Sequence, residues 1–84
     1  MTYSIRIKAS AAKALARIPA PARARIIGAI DRLATEPAAG SALKGEFSGL
    51  RRLRVGDYRV VYEAIDRELV VLVIRIAHRR EAYR

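Results

Sequence analysis

The residues best suited to chemistry lie between positions 50 and 63, LRRLRVGDYRVVYE, where arginines recur on both sides of a Gly56-Asp57 pair. A glycine-first, two-residue loop between β-forming runs is the signature of a type II′ hairpin. With that loop, Val55 opposes Tyr58, Arg54 opposes Arg59 and Leu53 opposes Val60. Side chains alternate across a strand, so Leu53, Val55, Tyr58, Val60 and Tyr62 share one face. Arg52, Arg54 and Arg59 share the other, with Leu50 and Val61. Like charges directly opposite one another on a sheet are unfavourable by roughly 0.2–1 kcal/mol. Folding asks for no arginine opposite an arginine beside a third, whereas an anion seated between them turns the repulsion into attraction. The bland alternative is a solvated strand face rich in arginine, and the cleanly apolar opposite face weighs against it. Arg51 departs from the pattern: alternation puts it on the core side, at a sheet margin from which it can snorkel outward.

A second constellation follows the last strand: His78, Arg79, Arg80 and Tyr83. Taken singly, His78 is more often a structural or surface residue than a catalyst, and Tyr83 can equally be a packing aromatic. At the end of a central strand beside residues 58–63, Arg79 and Tyr83 can be brought near Arg59. Other sites are excluded. One histidine cannot form a two-histidine acid–base pair, and no nucleophile elbow or Ser-His-Asp set is present. The acidic residues are scattered, so neither paired carboxylates nor a metal cluster is expected. A thiolate zinc site is impossible without cysteine, and no glycine-rich phosphate loop occurs. What remains for phosphate chemistry is transition-state stabilisation by arginine, with tyrosine, histidine or lysine handling protons.

These groups need a scaffold. Residues 2–8 alternate Tyr3, Ile5 and Ile7 against Ser4, Arg6 and Lys8, a half-buried strand. Ser10 is positioned to cap a helix over residues 11–18, with Ala11, Leu15 and Ile18 on one face. Pro19 stops it, and Pro21 sits where a second helix tolerates proline in its first turn. That helix, over residues 22–35, carries Ala22, Ile26, Ala29, Ile30 and Leu33 as a stripe, with Arg23, Arg25 and Arg32 opposite. Pro37 ends it, and residues 38–42 form a small-residue loop. The second half reads as a β-meander: residues 50–55, 58–63 and, after a turn at 66–68, an aliphatic run over 69–76. Such a run suggests a strand buried on both faces and central in the sheet. The order strand, two helices, three strands is an α+β layer structure in one domain over residues 1–84.

Bulk properties agree with a polyanion partner. Among 84 residues, Lys and Arg number 17 against 8 Asp and Glu, a formal net charge of +9. A folded domain this basic is drawn to polyanions or to an acidic protein. Only Lys8, Lys13 and Lys44 are lysines, a bias that genome composition explains as well as function does. Apolar residues at 52% supply a real core, which excludes a disordered basic tail. The longest apolar stretch is far too short to span a bilayer, and residues 1–8 lack a signal-peptide core. A soluble, cytoplasmic protein is expected, and the absence of cysteine suits that compartment.

At this point the residues resemble a known family. LKGEFSGLRRLRVGDYRVVYEAIDRELVVLVIRIAHRREAYR, residues 43–84, closely resembles the RelE family of toxin–antitoxin ribonucleases, and the opening YSIRIKASAAKALARIP is also family-like. The resemblance implies a RelE-like fold, β-α-α-β-β-β, with a largely antiparallel sheet and two N-terminal helices packed on one face. It implies a ribosome-dependent mRNA interferase in which the substrate 2′-OH attacks the adjacent phosphate, with no cofactor and no metal. By carry-over, Arg59 stabilises the transition-state phosphate, Arg79 serves the leaving oxygen and Tyr83 stacks on or orients the nucleotide. Arg52 and Arg54 stand where the family has a basic pair, Arg52 as a fourth catalytic residue and Arg54 as an RNA-binding one, and Lys44, in LKG, approaches the phosphate backbone. Arg51, His78 and Arg80 complete the expected RNA-binding set. The implied partners are mRNA in the ribosomal decoding site and a cognate, RelB-like antitoxin, acidic or amphipathic.

Two departures bear on mechanism. Leu50 stands where members of the family have a lysine, and arginine is a poor general base, so Tyr83, His78 and water are the candidates. The chain also stops at Arg84, with no helix after the tyrosine. Two other functions fit the same fold: a ParE-like toxin that inhibits DNA gyrase without nuclease chemistry, and an inactive module acting only in a toxin–antitoxin DNA-binding repressor complex.

Overall fold

A computed structural model describes residues 2–80. Strand β1 (Ser4–Ile7) leads into helices α1 (Ala9–Ala16) and α2 (Ala20–Arg32). A two-residue strand β2 (Ser41–Ala42) precedes the meander of β3 (Arg51–Val55), β4 (Tyr58–Ile65) and β5 (Val70–His78). Short 3₁₀ turns occupy Gly45–Phe47 and Asp66–Glu68. The five strands lie in the order β1-β5-β4-β3-β2. All pairings are antiparallel except β1 with β5, which is parallel. The architecture is the expected α+β one, with β2 as an extra edge strand.

Both helices cover one face of the sheet. Ala11, Leu15 and Ile18 from the α1 segment and Ile26, Ile30 and Leu33 from the α2 segment meet Val60, Tyr62, Val71, Val73 and Ile76 in one core cluster. The helical stripes foreseen from spacing are thus the ones buried. Pro19 is the N-cap of α2 and Pro21 lies in its first turn, as expected. Ser10 is not the cap of α1: Lys8 holds that position and makes no side-chain capping bond. The helix starts at Ala9 because the chain turns out of β1 directly after Lys8, whose amide still donates to the Val73 carbonyl at 2.9 Å. Arg23, foreseen on the solvent side of α2, points back instead. Its Nη1 donates to the Ile18 carbonyl at 3.1 Å and the Ala16 carbonyl at 3.5 Å, a cation at the C-terminal end of α1 where the helix dipole favours one.

The aliphatic run of β5 does not mark a strand with two covered faces. Strand β4 takes the centre of the sheet and β5 lies beside it. Val71, Val73 and Ile76 are buried under the helices, whereas Leu72 is half-buried and Arg75 exposed on the opposite side. A β-bulge makes this possible. Val61 pairs with Arg75 but Tyr62 pairs with Val73, leaving Ile74 as an extra residue. One inserted residue reverses the alternation beyond it, so Ile76 joins the core in place of Arg75.

Tyr62 ties the small-residue loop to the sheet. The ring is fully buried, and its hydroxyl donates to the Pro37 carbonyl at 2.8 Å while accepting the Gly40 amide at 2.9 Å. Gly40 has no room for a side chain: a Cβ would stand 2.8 Å from both the Arg52 carbonyl oxygen and the Tyr62 hydroxyl. Arg51 completes the clasp, its Nη1 donating to the Gly40 carbonyl at 2.8 Å.

Tyr62→Phe removes both bonds and strands a buried amide, so it should destabilise by about 1–3 kcal/mol. Gly40→Ala overfills the site and should cost about 1–3 kcal/mol. For a domain of this size each kcal/mol lowers Tm by about 4–8 °C, and both losses are readable by thermal unfolding followed by circular dichroism.

Candidate functional site

The hairpin forms with the foreseen register: Val55 faces Tyr58, Arg54 faces Arg59, Leu53 faces Val60 and Arg52 faces Val61. Gly56 has a φ of 59° and Asp57 does not share the positive sign, as a type II′ turn requires. Of the two faces, the one carrying Val60 and Tyr62 is buried under the helices. The other, with Arg52, Arg54 and Arg59, stays uncovered by either helix. Arg54 is exposed, while Arg52 and Arg59 are half-buried. The Nε and Nη1 nitrogens of Arg59 are shielded from solvent, and its cross-strand neighbour on β5 is the small Ala77.

The end of β5 delivers Arg79 to this place. Its backbone amide donates to the Asp57 carbonyl at 2.7 Å, docking residue 79 against the hairpin turn. The Arg79 Nη1 lies 3.9 Å from Asp57 Oδ1, with the two side chains 62% and 65% exposed. An exposed pair at that separation holds weakly, so Arg79 can release Asp57 for a stronger anion. Arg54, Gly56, Asp57, Tyr58, Arg59 and Arg79 line one cleft of about 210 Å³. Three arginines thus border one hollow, and a tetrahedral or trigonal-bipyramidal phosphate is the anion that guanidinium groups suit.

The remaining foreseen residues are placed differently. Arg51 is turned to the Pro37–Gly40 loop by its bond to Gly40 and stands apart from the cleft. Lys44 is exposed and precedes the first 3₁₀ turn, beyond the β2 edge. Arg80 is exposed directly after β5. His78 pairs with Tyr58 across the strands, and the two rings meet edge to face at 5.3 Å and 89°. Strand alternation therefore puts His78 on the opposite side of the sheet from Arg59. Its Nδ1 accepts the Arg80 amide at 3.3 Å, which engages that nitrogen's lone pair. That geometry counts against His78 as the base. Tyr83 lies outside the described residues. Among the described residues no three His, Cys, Asp or Glu side chains gather as a metal site, and no helix is long and apolar enough to cross a membrane.

Arg75, also on this face, was not singled out from the sequence. Arg75 lies opposite Val61, whose partner on the other side is Arg52. Strict alternation from Val71 and Val73 would aim Arg75 at the core, so only the bulge reveals its true side. The available signal was the misfit itself: a charged residue in phase with buried valines.

Comparisons with known proteins agree with one another. Residues 5–83 match the family model described as the ParE toxin of type II toxin–antitoxin systems, parDE. Among characterised relatives, toxin RelG of Mycobacterium tuberculosis is 31% identical over 100% of this chain and 99% of its own length. Toxin RelE of the same organism is 37% identical over 98% of this chain and 87% of its own length. Among solved structures, the toxin–antitoxin complex RelBE2 of M. tuberculosis superimposes with a TM-score of 0.85 at 29% identity, covering 93% of this chain and 99% of that one. The archaeal RelE–RelB complex of Pyrococcus horikoshii gives 0.83 at 31% identity, covering 98% and 100%. The match over nearly the whole chain, in sequence and in fold, means that this protein belongs to the RelE/ParE family of toxins of type II toxin–antitoxin systems.

Proposed function

We propose that this toxin is a ribosome-dependent endoribonuclease that cuts mRNA in the decoding site. The cleft bordered by Arg54, Arg59 and Arg79 is the observation that carries the reading. In the reaction the substrate 2′-oxygen attacks the adjacent phosphorus, the bond to the 5′-oxygen breaks, and a 2′,3′-cyclic phosphate and a 5′-hydroxyl result. The pentacoordinate phosphorus carries more negative charge on its equatorial oxygens than the diester does. Arg59, half-buried and shielded, meets that charge at low cost in reorganisation, which is how fixed donors accelerate a reaction. Arg79, held loosely at the turn, stabilises the departing 5′-oxygen. Arg52 and Arg54 hold the strand on the same face. A permanently protonated guanidinium does not accept the 2′-OH proton, so that proton passes to water or to Tyr83 as its phenolate, and water returns a proton to the departing 5′-oxygen to give the hydroxyl.

A cognate antitoxin of the RelB kind is the proposed partner that silences the toxin, in keeping with the two RelB-bound structures the fold resembles. An acidic chain laid over a +9 domain associates rapidly and covers the arginine face by charge complementarity. Gyrase inhibition is the second reading, favoured by the ParE description of the matching family model. A cleft built of three arginines is of no evident use to it.

Expression of the chain in bacteria should arrest growth and generate new mRNA ends on ribosomes. Arg59→Ala should lower single-turnover cleavage of ribosome-bound mRNA by about 10²–10³-fold, the effect of removing one oxyanion donor. Cleavage unchanged by Arg59→Ala combined with Arg79→Ala would sink this site. Inhibition of gyrase supercoiling by the purified toxin would favour the second reading instead.

A further inference from the structure

Asp57 holds Arg79 in two ways. The Arg79 amide donates to the Asp57 carbonyl at 2.7 Å, and the Asp57 carboxylate stands 3.9 Å from the Arg79 guanidinium. The first bond uses only backbone atoms, so it fixes where residue 79 sits whatever side chain follows Gly56. The second joins two well-exposed side chains, and such a pair contributes little to stability. Among the described residues, Asp57 is also the one acidic residue lining the cleft of Arg54, Arg59 and Arg79.

The turn does not ask for that charge. Asp and Asn serve tight turns alike, through short polar side chains that bond the local backbone, and the left-handed conformation falls on Gly56. An asparagine would close the hairpin equally well without setting a carboxylate at the mouth of an anion site. In a cleft that receives phosphate, a resident carboxylate is a competitor. It engages one of the guanidiniums that a phosphodiester would use.

We propose that Asp57 is a specificity-determining residue, a stand-in anion that phosphate displaces from Arg79. This rests on the cleft being a phosphate site, as in the proposed nuclease reading, and does not depend on bond cleavage. An unreacted diester spreads one negative charge over two oxygens and gains little by evicting the carboxylate. Charge gathering on the departing 5′-oxygen competes better for the same guanidinium. Asp57 thus weakens binding of the unreacted strand more than binding of the transition state, a differential effect that raises KM and spares kcat. Asp57 positions Arg79 and takes no part in the bond changes.

The test uses the intact toxin and a short, fluorescently labelled oligouridylate with 2′-O-methyl sugars, which lacks the attacking hydroxyl, with binding followed by anisotropy. Asp57→Asn should tighten binding by roughly two- to fivefold, the size of an exposed ion pair. Asp57→Glu, which keeps the charge near Arg79, should bind like the unmodified toxin. In an Arg79→Gln background, Asp57→Asn should change affinity little, because the guanidinium under competition is gone. On ribosome-bound mRNA, Asp57→Asn should lower KM by a similar factor without raising kcat. Affinity unaltered by Asp57→Asn, an equal gain with and without Arg79, a higher kcat, or no binding of the oligomer by any variant would overturn the inference. Thermal unfolding of Asp57→Asn several degrees below that of the unmodified toxin would also overturn it, marking Asp57 as a residue of the turn alone. An Arg79-dependent gain in affinity from a toxin that cleaves nothing would retain the role of Asp57 and reject the nuclease reading.

Discussion

A slip of β4 by one residue against β3 would turn Arg59 toward the helices, away from Arg52 and Arg54, and push Val60 and Tyr62 into water. Nothing else in the molecule tolerates such a slip, because side chains alternate with a period of two and one face is buried. The register is pinned at both ends of the pairing. At the near end the Gly56-Asp57 turn sets Val55 against Tyr58. At the far end Tyr62 is locked in the core, its hydroxyl bonded to the Pro37 and Gly40 backbone. The arginine face exists because an apolar face on the same strands has somewhere to go.

The same strand organises the other side of the cleft. Because β4 pairs with β5 through His78, the chain leaves the sheet beside the hairpin turn, and the Arg79 amide docks on Asp57. A residue twenty positions from Arg59 in sequence is thereby brought to the same hollow. The ion pair with Asp57 is long and exposed, whereas Arg59 is recessed and partly screened from water. In the proposed reaction, that contrast would give one rigid donor for charge developing on phosphorus and one mobile donor for the leaving group.

Accumulated positive charge has a cost that the fold distributes. Two of the arginines serve the structure: Arg51 fastens the Gly40 loop and Arg23 closes the end of α1. Those on the uncovered sheet face repel one another across strands spaced for hydrogen bonding, and a small domain with a modest core has little stability to spare. In the proposed function, RNA phosphate or an acidic antitoxin laid over this face would ease that crowding of like charge.

Much of this was legible in the residues alone. The glycine-first turn dictates the hairpin register through backbone sterics, and alternation then dictates which arginines share a face. The helical stripes and the two prolines likewise set both helices, because periodicity and the lack of a proline amide are local properties. Other features depend on partners distant in the chain. Ser10 reads as a cap, yet α1 starts at Ala9 because the path out of β1 decides where the helix begins. The aliphatic run of β5 reads as doubly buried, yet a bulge that only cross-strand pairing reveals sends Arg75 to the arginine face. His78 reads as a possible base, yet Tyr58 and the Arg80 amide take up its ring and its Nδ1. Local steric and periodic rules determined the elements and the arginine pattern. Tertiary pairing decided which charges meet, because that depends on where an inserted residue reverses the alternation.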